Sequence, residues 1–330
     1  MSMNIMKKRR LSVNEYADGI LSGNRILLSR AITLVESTRD DDKELAHQVL
    51  ERCVSAAKSK VRIGITGVPG VGKSTFIEAF GTKIIESGHR VAVLAIDPSS
   101  RLNRGSILGD KTRMESLSLH ENAYIRPSAA GDSLGGVARK TREAMLLCEA
   151  AGFDVVLIET VGVGQSETAV RDLTDFFLLL LLPNAGDELQ GMKRGIVEMC
   201  DWLAINKCDI NPTAAKLARA QYNNALHLFP KKESGWTPNC SMCSAANGEG
   251  IADIWDTINQ YIQHAQTLNF FEENRKKQTL FWLHESIRQE LNTVFNRNQN
   301  VIANLQTIEN EVVTGKKSVS QATQELMRFF

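Results

Sequence analysis

Short apolar runs separated by helical stretches dominate the middle of the chain. Val61 to Thr66, Val91 to Ile96, Val155 to Ile158, Phe176 to Leu182 and Trp202 to Ile205 are continuous rather than alternating. Each therefore reads as a strand buried on both faces, the mark of a parallel sheet covered by helices. From about residue 11 to 58 the pattern is helical instead: Leu27, Ala31, Leu34 and Val35 recur at helical spacing, and Leu45, Val49, Leu50 and Cys53 do so again after Asp40-Asp41-Asp42. Beyond about Thr267 the strands cease. Leu280, Leu283, Ile287, Leu291 and Val294 follow one another at three- and four-residue steps, then Val301, Leu305, Ile308 and Val312, then Val319, Ala322, Leu326 and Phe329. The expected organisation is a helical extension over residues 1–58, an α/β domain over 59–266 and a helical arm over 267–330. The arm's stripes, with Phe281-Trp282 on them, must be buried against the central domain or a second chain, and pairing into a homodimer is the expectation.

The first of these strands runs directly into Gly67-Val68-Pro69-Gly70-Val71-Gly72-Lys73-Ser74, and a helical stretch begins at Thr75. This is G-x-x-x-x-G-K-S between a strand and a helix, the context of a phosphate-binding loop. Its glycines let successive backbone N–H groups converge on phosphate oxygens, and the helix N-terminus adds its dipole. Lys73 is expected at the β and γ phosphates and the Ser74 hydroxyl on Mg²⁺.

The base is read elsewhere. The strand ending at Ile205 leads into Asn206-Lys207-Cys208-Asp209, an N-K-x-D at a strand's carboxyl end. The Asp209 carboxylate can accept from N1–H and the 2-amino group of guanine, whereas adenine offers an acceptor at N1 and no 2-amino group, so guanine is selected. Asn206 would brace the loops and the Lys207 stem would cover the base. Ser244-Ala245-Ala246 suits a backbone contact to the guanine carbonyl oxygen. The implied ligands are GTP and GDP with Mg²⁺.

Mg²⁺ requires further oxygen ligands near the γ phosphate. Glu159 ends a buried strand in Glu159-Thr160-Val161-Gly162, Asp97 ends another in Ile96-Asp97-Pro98, and Asp110 lies in Gly105 to Lys111. All three are candidate metal or water ligands.

Composition narrows the setting. In 330 residues, 39 Lys plus Arg against 38 Asp plus Glu leave a formal charge of +1, which argues against nucleic acid or an anionic membrane held by bulk electrostatics. The longest apolar run, Phe176 to Leu182, is far short of the ~18 to 20 residues that cross a bilayer. Lys7-Lys8-Arg9-Arg10 is followed by no apolar core and reads as a solvated tail. Six cysteines in a chain of this length do not make a disulfide scaffold, and reduced thiols in a cytoplasm are expected. Cys240-Ser241-Met242-Cys243 has redox and zinc spacing, but no second pair or nearby His accompanies it.

Gly67 to Thr75, Asp97 to Ser100, Gly105 to Met114, Arg126-Pro127-Ser128 with Leu134-Gly135-Gly136, Glu159 to Glu167, and Asn206 to Asp209 together resemble the methylmalonyl-CoA mutase-associated G proteins. These chaperone-type GTPases are related to the human methylmalonic aciduria type A protein and, more distantly, to metallochaperone GTPases. The resemblance spans nearly the whole chain. It implies a P-loop GTPase fold and a dimer. It also implies binding to a cobalamin-dependent methylmalonyl-CoA mutase, with GTP gating cofactor loading and protecting the mutase from inactivation. It further maps three switch segments, at Ser99 to Met114, Gly162 to Asp172 and Gly186 to Gly195.

The water-orienting group is less legible. Ras-type proteins place Gln directly after the switch glycine; here Val163 follows Gly162 and the first Gln is Gln165. Slow intrinsic hydrolysis is expected, accelerated when a partner brings Gln165, Lys193 or Arg194 toward the γ phosphate alongside Lys73. Two other readings are a metallochaperone-type GTPase and a kinase linked to amino-acid transport. The first usually carries a His- or Cys-rich tract, and the second needs an acceptor-activating base.

Overall fold

The computed structural model describes residues 10–97, 114–129, 134–160, 166–183 and 194–330. Within them, one sheet is built from β1 (Val61–Gly67), β2 (Val91–Asp97), β3 (Ala123–Ala129), β4 (Val155–Glu159), β5 (Phe176–Leu181), β6 (Trp202–Ile205) and β7 (Cys240–Met242). Their order is β3-β2-β4-β1-β5-β6-β7, and every adjacent pair is parallel. The α/β class and its parallel sheet are as expected. The strand β3 is an addition: Arg126 and Pro127 interrupt its apolar run, and Pro127 is tolerated because β3 lies at the sheet edge.

Every residue of β4 and β5 is buried, which explains their unbroken apolar character. On one face Ile63, Ile65, Leu157, Leu178 and Leu180 form a core with Phe76 and Phe80 of α4 (Lys73–Glu86) and with Trp255, Ile258 and Tyr261 from a later helix, Ile251–Thr267. Short helices α5 (Glu115–Leu119) and α7 (Ser166–Arg171) flank the long α6 (Leu134–Ala150) in sequence, followed by α8 (Arg194–Met199), α9 (Pro212–Leu226) and α10 (Ile251–Thr267). Gly64 lets α7 approach β1 closely: a Cβ there would lie 2.5 Å from Phe177 Cδ2 and 3.1 Å from Val170 Cγ1.

The N-terminal helices α1 (Val13–Leu21), α2 (Arg25–Glu36) and α3 (Asp40–Cys53) pack on one another, and all three reach α6. A Ser12–Glu15 capping box opens α1, and Asn24 caps α2. The buried face of α2 is Leu28, Ala31, Ile32 and Val35, so Leu27 and Leu34 fall at its margins, Leu27 filling the space above Gly19. Arg126 of β3 pairs with Glu36 and reaches Thr33 Oγ1 at 3.2 Å, while Lys140 Nζ donates to Glu36 O at 2.7 Å. The Arg-Pro-Ser segment thus tethers α2 to the sheet edge.

The chain divides into two compact units, Met1–Lys276 and Lys277–Phe330, the boundary falling inside α11 (Phe270–Arg297). The second unit continues with α12 (Gln299–Val313) and α13 (Val319–Phe329), which pack together. Within it the Phe295 and Phe330 rings lie 5.6 Å apart, and Lys317 pairs with Glu311 at 2.6 Å and with Glu325. Leu280, Leu283, Ile287, Leu291 and Val294 are each about half exposed, from 46% to 58%.

Candidate nucleotide site

β1 is the central strand of the sheet and ends at Gly67, so the loop 67–72 stands at the middle of the carboxyl edge, where α/β sheets hold ligands. Val71 is fully buried and anchors the loop, its N–H donating to Val68 O at 3.2 Å. Gly72 precedes α4 with φ 93°, a conformation that favours glycine, and no side chain caps the helix there. A Cβ on Gly72 would also stand 2.9 Å from Asn206 Nδ2. Lys73 Nζ folds back over the loop, donating to Gly67 O at 2.7 Å. Burial lowers the Lys73 pKa, and the carboxylates of Glu159 and then Glu167 partly offset that. Ser74 is half-buried and Thr75 exposed in the first turn of α4.

Asn206 joins the two halves of the site. It is buried at the end of β6; its Nδ2 donates to Val71 O at 2.9 Å, and its Oδ1 accepts from Ala245 N–H at 3.0 Å. Lys207, at φ 62°, directs Nζ to Gly70 O at 2.9 Å. Asp209 is exposed beyond them. In the facing loop the Ser244 N–H donates to Glu249 O at 2.9 Å, and the Ala245 N–H is taken by Asn206. Within 244–246 the N–H of exposed Ala246 is given no bond inside the loop, in contrast to those of Ser244 and Ala245.

Glu159, 9% exposed, ends β4 beside β1, in register with Ile65. The Ser74 hydroxyl and the Glu159 carboxylate are hard oxygen donors of the kind Mg²⁺ takes, and a small donor set suits an ion that keeps waters and phosphate oxygens. Among the described residues no three His, Cys, Asp or Glu side chains cluster to hold a metal by themselves. Asp97 ends β2, with only its backbone described, and Arg194 opens α8 with its side chain likewise outside the description. Asp110, Gln165 and Lys193 lie outside the described residues, as do most of the three switch segments.

A family model described as methylmalonyl Co-A mutase-associated GTPase MeaB matches residues 28–300. The chain belongs to this GTPase family. A putative GTPase of Caulobacter vibrioides is 48% identical, covering 97% of this chain and 98% of its own. The methylmalonic aciduria type A homolog of Mus musculus, described as mitochondrial, is 42% identical over 98% of this chain and 80% of its own length. The crystal structure of a LAO/AO transport system kinase superposes with a TM-score of 0.76 at 34% identity, covering 96% of this chain and 97% of that one.

Two features of this MeaB-family site escape a reading by motif. Glu167, in the first turn of α7, is buried at 1% exposure and acts electrostatically on Lys73; in the sequence it only closes the Glu159 to Glu167 segment, with no sign there of its nearness to Lys73. Thr160 Oγ1 donates to Thr66 Oγ1 at 2.8 Å, both side chains buried. That bond ties the end of β1 to the residue after β4, and it depends on sheet order, which no local motif encodes. The free thiols of Cys240 and Cys243 are both buried, Cys243 Sγ lying 3.8 Å from Asn206 Oδ1.

Proposed function

We propose that this MeaB-family protein is a cytoplasmic GTP-hydrolysing chaperone that associates with a cobalamin-dependent methylmalonyl-CoA mutase, gating cofactor loading and protecting the mutase. The observation that carries the nucleotide half is Asn206, which bonds the phosphate loop and the 244–246 loop at once. Gly67 to Thr75 would hold the phosphates, Lys73 the β and γ oxygens, and Asp209 with Ala246 the guanine edge. Ser74, Glu159, Asp97 and Asp110 would hold Mg²⁺ directly or through water, and the ion would neutralise charge on the β and γ oxygens. Gln165, Lys193 and Arg194 would complete the hydrolytic site when the partner binds.

The mutase half is supported by the family's description and by the type A homolog of mouse. The exposed apolar stripe from Leu280 to Val294, spaced 3-4-4-3 along α11, supports a homodimer in which it faces a second copy. The test is co-purification of the full chain with a methylmalonyl-CoA mutase under GDP, a non-hydrolysable GTP analogue, or no nucleotide. Nucleotide-dependent association together with faster GTP turnover is expected. No association in any of the three states overturns the chaperone role and leaves the GTPase intact.

A further inference from the structure

Asp201 stands where two short helices end. It precedes β6, at the sheet edge opposite the phosphate loop, and is buried at 1% exposure. Its backbone is pinned on both sides, N–H to Phe177 O at 2.8 Å and C=O from Trp236 Nε1 at 3.1 Å. Its Oδ2 accepts from Phe177 N–H at 2.9 Å, while Oδ1 has no hydrogen bond among the described residues. Two cations face it. Arg171, in the last turn of α7, brings Nη2 to 3.6 Å of Oδ2. Lys232 brings Nζ to 3.8 Å of Oδ1 and at the same time donates to Glu198 O, in the last turn of α8, at 2.7 Å.

Both separations are within ion-pair range yet longer than a hydrogen bond, so a shift of about 1 Å would close Lys232 onto the unbonded Oδ1 or Arg171 onto Oδ2 beside the Phe177 N–H. The two cations are not held equally. Burial is the largest influence on both and opposes their charge, but Asp201 together with Tyr261, Cys200 and Asp172 outweighs it for Arg171, whose pKa is raised, whereas for Lys232, which also faces Arg171, it is not outweighed and the pKa is lowered. Lys232 also borders a cavity of about 280 Å³ with Glu198 and Trp236, which gives that side of the cluster room to move. The chain reaches α7 from the end of β4 and α8 from the end of β5, and both strand ends share an edge with the phosphate loop.

We propose that Asp201 is a positioning residue for GTP hydrolysis, a shared counter-ion through which Arg171 and Lys232 couple the end of α7 to the end of α8. A displacement of one helix then alters the hold on the other. This rests on the GTPase reading and adds to it a physical link between the segments that leave β4 and β5.

The experiment is a mutant cycle on the full chain, with single-turnover GTP hydrolysis, GDP affinity and thermal unfolding measured for wild type, Arg171→Gln, Lys232→Gln and the double variant. Each single substitution should slow hydrolysis by about fivefold with GDP affinity within about twofold, and the double should be no slower than the worse single. Asp201→Asn, which keeps the acceptor for Phe177 N–H, should match the singles, and Arg171→Lys should recover most of the rate. Multiplicative effects, roughly 25-fold in the double variant, overturn the coupling. So does a loss of rate that merely follows loss of GDP binding or of folded protein. Absence of GTP turnover in the wild type overturns the GTPase reading and this proposal with it, an outcome seen before any substitution is compared.

Discussion

A single carboxamide, that of Asn206, closes the 67–72 loop against the 244–246 loop, through Val71 O and Ala245 N–H. Asn206→Ala would leave both backbone groups without their partner, at about 1–3 kcal/mol each. A clear fall in melting temperature and weaker GDP binding are expected together, by thermal denaturation and titration. Asp209→Asn should behave differently, because Asp209 is exposed: the melting temperature stays put, while GDP binding weakens on the order of 10²-fold through lost charged hydrogen bonds. The six cysteines, all buried and unpaired, give a further residue-scale test. Burial pushes the Cys240 thiol up to about 12, and those of Cys243, Cys200 and Cys148 upward as well. A folded-state pKa above the unfolded value means stability is intact below about 9 and is lost as pH rises toward the folded value. Unfolding midpoints should therefore fall at alkaline pH, and a thiol reagent at neutral pH should label the native protein far more slowly than the denatured one. Contiguous motifs made Gly67 to Ser74 and Asn206 to Asp209 readable from sequence. The pairing of Asn206 with Ala245 was not, since it joins the ends of two strands 39 residues apart.

Elements were legible where burial is two-sided. β2, β4, β5 and β6 show unbroken apolar runs because helices cover both faces of the sheet, and β1 departs from this at Arg62, whose guanidinium is paired with Glu149. β3 hides because an edge strand admits Pro127 and gives Arg126 to α2. On α2 the expected Ala31 and Val35 are buried, but burial against α3 and α6 selects Leu28 and Ile32 in place of Leu27 and Leu34. Gly64 is the element-scale position most sensitive to change. Gly64→Val would drive methyl groups into Phe177 and Val170, where contact distances are already 2.5 and 3.1 Å for a Cβ. The expected cost is about 1–3 kcal/mol in a packed core, measured by chemical denaturation. GTP turnover should fall as well, because α7, which carries Glu167 and Arg171, can no longer seat on β1.

At the scale of the molecule, buried charge locks the beginning of α11 to the sheet within the first unit. Arg275 forks onto Asp175 at 2.9 and 2.6 Å, Asp175 accepts from Arg62 N–H at 2.8 Å, and Arg62 forks onto Glu149 at 2.6 and 2.9 Å. Arg275→Met would strand a buried carboxylate and should cost about 3–5 kcal/mol in urea unfolding. The near-zero net charge of the chain conceals such internal pairs as well as the proposed anion site at the loop's backbone N–H groups and Lys73. Composition argues against bulk attraction to polyanions; it could not reveal either feature, because both depend on which residues the fold brings together. The central claim is that this site selects guanine nucleotides, and competition against a fluorescent guanine nucleotide tests it most directly. GDP should displace the probe and ADP should not, and Asp209→Asn should shift preference toward xanthine nucleotides. Displacement by ADP as effective as by GDP, with Asp209→Asn leaving preference unchanged, would contradict the account.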